Sequence, residues 1–321
     1  MTDSGIWQTP THIASNATAM ALCIATLSFL ALAACSGEGS NGDDGAKTSA
    51  DAAGGSAAKA HAGPCNATFV GSDGVSHPNF LTWTYDAQGR PTEERRSDDE
   101  ISTGVPVWLQ NTSYDDAGHV LHDVFATDAA EPSHDWTFTY GADGRPTTRK
   151  GTQTGYGDED CIFEWSTVPE APRDVSLICD FSYPDRNKDG ERIGTITGKY
   201  GEHHAFQTLG DGKEREVILF DNAAGGTPDK EIARYFDAKG RLDRVETDAS
   251  LQGFASHVVR YLYDADGHVV ARHTDSDGDG TVDAIEALTL DAKGNVMRID
   301  YDDGGDGNID RHWLMSYDCW D

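Results

Sequence analysis

Tyr263-Asp264-Ala265-Asp266-Gly267-His268 decides the fold, because it is one copy of a turn that returns along the chain. Phe236-Asp237-Ala238-Lys239-Gly240-Arg241 precedes it and Leu290-Asp291-Ala292-Lys293-Gly294-Asn295 follows it. The copies at 236, 263, 290 and 317 keep a constant step of 27 residues, and the last, Tyr317-Asp318, runs into the chain end. Three earlier copies begin at Tyr85, Tyr114 and Tyr140, with steps of 29 and 26. Self-similarity at a fixed period means stacked structural units. Within each copy the aromatic or aliphatic residue ends a strand, and the aspartate can bond amides two residues on. The glycine then takes the left-handed conformation that closes a short hairpin loop.

The flanks support strands. Trp83 and Tyr85, then Trp136, Phe138 and Tyr140, then Val259, Tyr261 and Tyr263, occupy alternate positions with polar residues between them. No helical apolar stripe follows the first 34 residues. The reading is all-β: an antiparallel meander of repeated hairpins, about 14 to 18 strands if residues 150–230 follow the same plan. Open sheets of that size curl or split. The expected forms are a curled sheet, a half-barrel or a closed barrel, with a soluble sandwich as the alternative. The turns resemble those of the YD-repeat (rearrangement hotspot) family of bacterial surface and toxin-shell proteins. That resemblance implies a sheet of repeated hairpins and a surface role.

The opposite ends of the hairpins carry acids. From Asp275 to Glu286, oxygen side chains stand at loop positions 1, 3, 5, 9 and 12, namely Asp275, Asp277, Asp279, Asp283 and Glu286. Gly280 sits at position 6, and the Thr281 carbonyl would supply position 7. Calcium takes six to eight hard oxygens, and alternating aspartates on a tight loop offer them from one side. The pattern resembles the EF-hand loop, and its first half is similar to the calcium loops of dockerin and thrombospondin type 3 repeats. The expected cofactor is therefore a structural Ca2+ at Asp275, Asp277, Asp279, Thr281, Asp283 and Glu286. Weaker versions lie at Asp185–Gly190 and at Asp302, Asp306, Gly307 and Asp310.

Residues 1–34 contain no Lys or Arg, and an apolar run from Ala19 to Ala34 ends at Leu32-Ala33-Ala34-Cys35. The run is short for a bilayer span, which needs about 20 residues. The tetrapeptide resembles the lipobox of bacterial lipoproteins, which implies cleavage before Cys35 and acylation of its thiol, enough for stable anchoring. Ser36 after the cysteine implies sorting to the outer membrane. Residues 35–63 then read as a Gly/Ala/Ser-rich flexible tether, with no aromatic or branched aliphatic residue to bury. The globular domain is expected over 64–321. The chain's formal charge is −30, and −29 once the signal, with its single acid Asp3, is removed. Such a field repels nucleic acid.

Cys65, Cys161, Cys179 and Cys319 remain after export. An even number outside the cytoplasm reads as two disulfides with three possible pairings. The favoured one joins Cys161 to Cys179, close in sequence, and Cys65 to Cys319, tying the domain's ends.

No nucleophile elbow, zinc-protease, P-loop or dinucleotide glycine pattern occurs. His203-His204 and His134-Asp135 are adjacent pairs, and strand neighbours point to opposite faces. The expectation is a non-catalytic, calcium-stabilised surface scaffold or binding module, contacting polysaccharide or another envelope protein. The alternatives are a carrier of lipid or apolar cargo on a curved sheet, and a polysaccharide-acting enzyme.

Overall fold

The computed structural model describes residues 63–97, 108–127, 133–154, 157–169, 171–186, 191–222 and 226–320. The signal segment, Cys35 and all but the last residue of the expected tether lie outside the described residues.

Eighteen strands follow one another. They are β1 (Asn66–Val70), β2 (Ser76–Tyr85), β3 (Pro91–Arg96), β4 (Trp108–Tyr114), β5 (Val120–Ala126) and β6 (His134–Tyr140). Next come β7 (Pro146–Gln153), β8 (Gly157–Trp165), β9 (Val175–Arg186), β10 (Arg192–Thr208), β11 (Glu214–Asp221) and β12 (Lys230–Phe236). The last are β13 (Leu242–Asp248), β14 (His257–Tyr263), β15 (Val269–Asp275), β16 (Ala284–Leu290), β17 (Val296–Asp302) and β18 (Arg311–Ser316). Each pairs antiparallel with its successor, and β1 also pairs with β18, Ala67 standing opposite Met315. The meander thus closes into a barrel without edges, and the two-sheet sandwich is not formed.

The pleat sorts the side chains into two walls. Ala67, Leu81, Ile299 and Met315, all nearly inaccessible, share the inner face. The outer face carries charge in mid-strand, where Lys150 pairs with Asp160 and Lys199 with Asp180, every partner more than half exposed. A lipid-facing barrel wall carries a continuous apolar band about 25 Å tall, and these ion pairs interrupt the outer wall between β7 and β10. Apolar packing inside forms two separate arcs. One gathers Ala67, Leu81, Trp108, Leu288, Val296, Ile299 and Met315; the other gathers Cys161, Cys179 and Leu177. A ring of 16–18 strands is wide enough to leave an interior channel.

One rim holds the repeated turns, and their chemistry explains the step. In each of the six full copies the aspartate or its equivalent closes on the residue after the glycine, as Asp237 N–H to the Arg241 carbonyl at 2.8 Å. The six corner glycines have φ between 76° and 95°. Each corner is followed by one extra residue on the returning strand, such as Asp243 between the pairs Phe236–Leu242 and Tyr235–Arg244. These bulges bend the wall at every second strand. Successive copies are then stitched by a hydroxyl ladder. Tyr114 donates to the Pro91 carbonyl, Tyr140 to Val120, Tyr263 to Leu242 and Tyr317 to Val296, at 2.8–3.1 Å. The residue after the glycine caps the next ring, as Arg241 over Tyr263 at 4.3 Å and Arg90 over Tyr114 at 4.7 Å.

The middle of the chain obeys the same plan with altered corners. Leu209 N–H bonds the Lys213 carbonyl around Gly212, and Trp165 replaces tyrosine in the ladder, its indole donating to the Pro146 carbonyl at 2.8 Å.

The ninth corner joins the two ends of the domain. Tyr317-Asp318 supplies its first half and Gly63-Pro64 its second. Trp320 donates to the Gly63 carbonyl at 2.7 Å, and Tyr85 donates to the Pro64 carbonyl at 2.8 Å, as the other ladder tyrosines do. A Cβ on Gly63 would lie 2.3 Å from the Tyr85 hydroxyl, so a larger residue there would displace that ring. The disulfide Cys65–Cys319 spans this seam, and Cys161–Cys179 joins directly opposite residues of β8 and β9.

Candidate functional site

The rim opposite the corners bears the acidic loops. In the loop 275–283, Asp275 accepts the amides of Gly278 and Gly280 at 2.7 and 2.9 Å, and Asp283 accepts that of Ser276 at 2.7 Å. These bonds turn the chain inward on itself, so carboxylate oxygens of Asp275, Asp277 and Asp283 lie within 4.8 Å of one another. Asp279 stands outside that group and accepts the Thr281 amide at 2.7 Å, which holds its carboxyl below the usual range. The donor set is all hard oxygen, the kind of ligand that hard cations take.

Glu286 does not join them, which corrects the expected ligand set. In an EF-hand, position 12 lies on a helix that turns the glutamate back toward the loop. Here Ala284–Leu290 is a strand, and Glu286 points to the inner wall, where it pairs with the buried Arg272. Burial raises its carboxyl, and the Arg272 guanidinium opposes that rise.

The loop belongs to a set of four. Asp221, Asp248, Asp275 and Asp302 lie 27 residues apart, and each accepts the amide of the glycine five residues on, at 2.5–2.9 Å. Two of these, 221–229 and 248–256, escape a search for calcium patterns because alternating acids are missing. The steady interval from Asp275 is the signal that finds them. In the 302–310 copy the nearly inaccessible Asp302 is consumed by the amides of Gly304, Asp306 and Gly307. Of the 185–190 copy only Asp185 and Arg186 are described, at the end of β9; 187–190 fall outside the described residues. A further group of possible ligands, Asp264, Asp266 and His268, sits at the other rim. There the repeat's own corner chemistry accounts for it, since Asp264 binds the amides of Gly267 and His268.

The inner wall carries ionisable groups in matched sets. Arg149 reaches Glu159 at 3.4 Å and the Tyr200 hydroxyl at 2.6 Å, beside the buried Cys161–Cys179 bridge. His204 meets Glu216 at 2.9 Å, and Arg234 meets the same Glu216 at 3.1 Å. Burial opposes the charge on His204, but Glu202 and Glu216 outweigh it and raise the imidazole to about 9. For Glu94, burial drives the carboxyl up to about 7 against a hydrogen bond from Trp83. The adjacent histidine pairs split between the walls. His134 bonds Asp123 inside while Asp135 bonds His122 outside, both at 2.7 Å. His204 faces inward, and His203 meets Ser176 outside at 2.9 Å.

No family model matches the sequence, and no curated protein is similar to it. Among solved structures, a porin-like protein from Bacteroides vulgatus ATCC 8482 shares 11% identity, covering 79% of this chain and 98% of that one, with TM-score 0.31. A porin-like protein from Bacteroides uniformis ATCC 8492 shares 11%, covering 74% and 89%, with TM-score 0.34. The Photorhabdus luminescens Tc holotoxin pore shares 13% over 73% of this chain and 16% of its own, with TM-score 0.21. All three scores are below 0.5. The architecture of this protein therefore stands on its own strand pairing.

Proposed function

We propose that this chain is an outer-membrane lipoprotein, anchored through Cys35, whose closed barrel is a non-catalytic scaffold or binding module stabilised by calcium. The observation that carries the metal reading is the convergence of Asp275, Asp277 and Asp283 in a loop turned inward by Gly280. With Glu286 engaged by Arg272, Asp279, the Thr281 carbonyl and water would complete the coordination. Such a shell suits the weak sites of extracellular modules, with dissociation constants of roughly 0.1–1 mM. Binding there stabilises the native loop by mass action. Calcium at millimolar concentration should raise the melting temperature, and Asp277→Ala should remove most of that rise. An unchanged wild-type transition on adding calcium rejects the site. Cys35→Ser should release the protein from membranes, and persistent membrane partition would reject the anchor.

The partner would be polysaccharide or another envelope protein. A lipid cargo in the barrel is disfavoured. It would strip water from the inner-wall ion pairs Arg149–Glu159 and Arg234–Glu216, and desolvating such groups is costly.

A further inference from the structure

Closure removes the edges of the ring, but one hairpin stands above the rim of the acidic loops and has edges of its own. β9 accompanies β10 from Arg192 to His204, whereas β11 joins β10 only from Gly201 onward. β8 leaves β9 at Ser182. Residues 192–200 of β10 therefore rise about 30 Å past the end of β11, at roughly 3.3 Å per residue. The Cys161–Cys179 bridge and the bond from Arg149 to the Tyr200 hydroxyl fix the base of this arm.

The two edges of the arm are unlike. Successive residues of a strand aim their N–H and C=O groups to alternate sides. Leu209 bonds Lys213 on the β11 side and Phe206 bonds Asp174 on the β9 side, so odd residues of β10 serve β11 and even ones serve β9. Pro184 stands opposite Thr195 and so lies on the far edge of β9, where its missing N–H discourages a further strand. The edge of β10 has no such guard. Thr195, Thr197 and Lys199 turn their backbone groups to the side that β11 has left, and among the described residues no strand meets them there. All three are exposed, as are Ile193 and Ile196.

That edge reads the same in both directions, since Gly194-Thr195-Ile196-Thr197-Gly198 is a palindrome about Ile196. We propose that the edge of β10 pairs antiparallel with the same edge of a second copy of this chain, on a two-fold axis through Ile196. Thr195 then exchanges both backbone bonds with Thr197 of the other copy, and Ile196 meets Ile196. Gly194 meets Gly198, where two backbones can approach closely. Lys199 falls opposite Ile193. A parallel pairing in register would set Lys199 beside Lys199 and Arg192 beside Arg192, and like charges directly opposite are destabilising. The joined arms form a four-stranded sheet with the barrels at its opposite ends. This pairing needs neither the metal nor the lipid anchor.

The full-length protein carrying Ile196→Cys, held in detergent micelles, tests the axis directly. The position pairs with itself without hydrogen bonds, the close kind of pair, with about 4.5 Å between Cα atoms, so mild oxidation should link two chains. The yield of covalent dimer should exceed several-fold that of Ser250→Cys, an exposed position on another loop of the same rim that reports chance collision. Adding Thr197→Pro should bring the yield down to that level. It removes an N–H that serves only the open edge, so the melting temperature should stay near that of the parent. Independently of thiols, Ile196→Lys sets two lysines face to face and should shift sedimentation of the chain from dimer to monomer. Equal yields from Ile196→Cys and Ser250→Cys overturn the pairing and leave the edge to an extended segment of another protein. A dimer that persists with Ile196→Lys overturns it as well.

Discussion

Removing the seam disulfide should be the most damaging covalent change to the barrel, and its size can be worked out. Cys65 and Cys319 are separated by 254 residues, so their bridge closes almost the whole domain into a covalent ring. The chain-entropy relation for a loop of that length gives about 5.5 kcal/mol at 25 °C. For the separation of 18 residues at Cys161–Cys179 it gives about 3.2 kcal/mol. Cys319 is exposed whereas Cys65 is buried, so replacing the seam pair by alanine adds the loss of one buried sulfur to the lost crosslink. The Cys65→Ala/Cys319→Ala variant should thus lose several kcal/mol in guanidinium unfolding. Its melting temperature should fall by roughly 10–20 °C for a domain of this size. A permutant that joins Tyr317-Asp318 to Gly63 by a short peptide corner, with new ends in the exposed 248–256 loop, should recover most of the loss. It restores the same constraint with a backbone turn in place of sulfur. A loss below about 2 kcal/mol would show that the ends stay together without the bridge. A permutant that fails to recover would show that the ninth corner is not equivalent to the others.

Other expectations concern single side chains. Tyr263→Phe removes one rung of the hydroxyl ladder and leaves the Leu242 carbonyl without that donor, so equilibrium unfolding should show a loss of about 1 kcal/mol. Glu94 is raised from 4.5 to about 7 in the folded state, so the native protein holds its proton more tightly than the unfolded chain. Stability from that proton is complete below about pH 4.5 and is lost as pH rises toward 7, and Glu94→Gln should be stabilising at pH 8 by on the order of 2 kcal/mol. A variant no more stable than wild type at pH 8 would contradict the burial argument. Glu286→Gln should destabilise the barrel by removing the carboxylate that faces the buried Arg272 guanidinium, yet it should leave the calcium-induced rise in melting temperature intact; loss of that rise would return Glu286 to the metal.

Much of the architecture is local chemistry and is therefore readable along the chain. An Asp that binds amides ahead of it, followed by a glycine at positive φ, makes a hairpin wherever it stands. Tyr85, Tyr114, Tyr140 and Tyr263 therefore announce strands and corners without reference to anything distant. The regular interval adds that successive hairpins stack, and the alternation of rings with polar residues tells which side of each strand is inner. The same local logic marks Asp275, Asp277 and Asp283 as neighbours on one loop.

Closure was decided only in three dimensions. Whether eighteen strands curl into a ring depends on accumulated twist and on the bulge after every corner, and no single hairpin encodes their sum. Gly63-Pro64 is unremarkable in sequence, yet it becomes half of a corner because the seam brings Trp320 and Tyr85 against it. The corner at Leu209–Lys213 lacks the usual Tyr-Asp, and its equivalence rests on the backbone bond around Gly212 alone. Glu286 matched a calcium pattern by spacing. The strand that carries it turned the carboxylate toward Arg272 on the inner wall, because a two-residue side-chain period, and not a helical one, governs that segment.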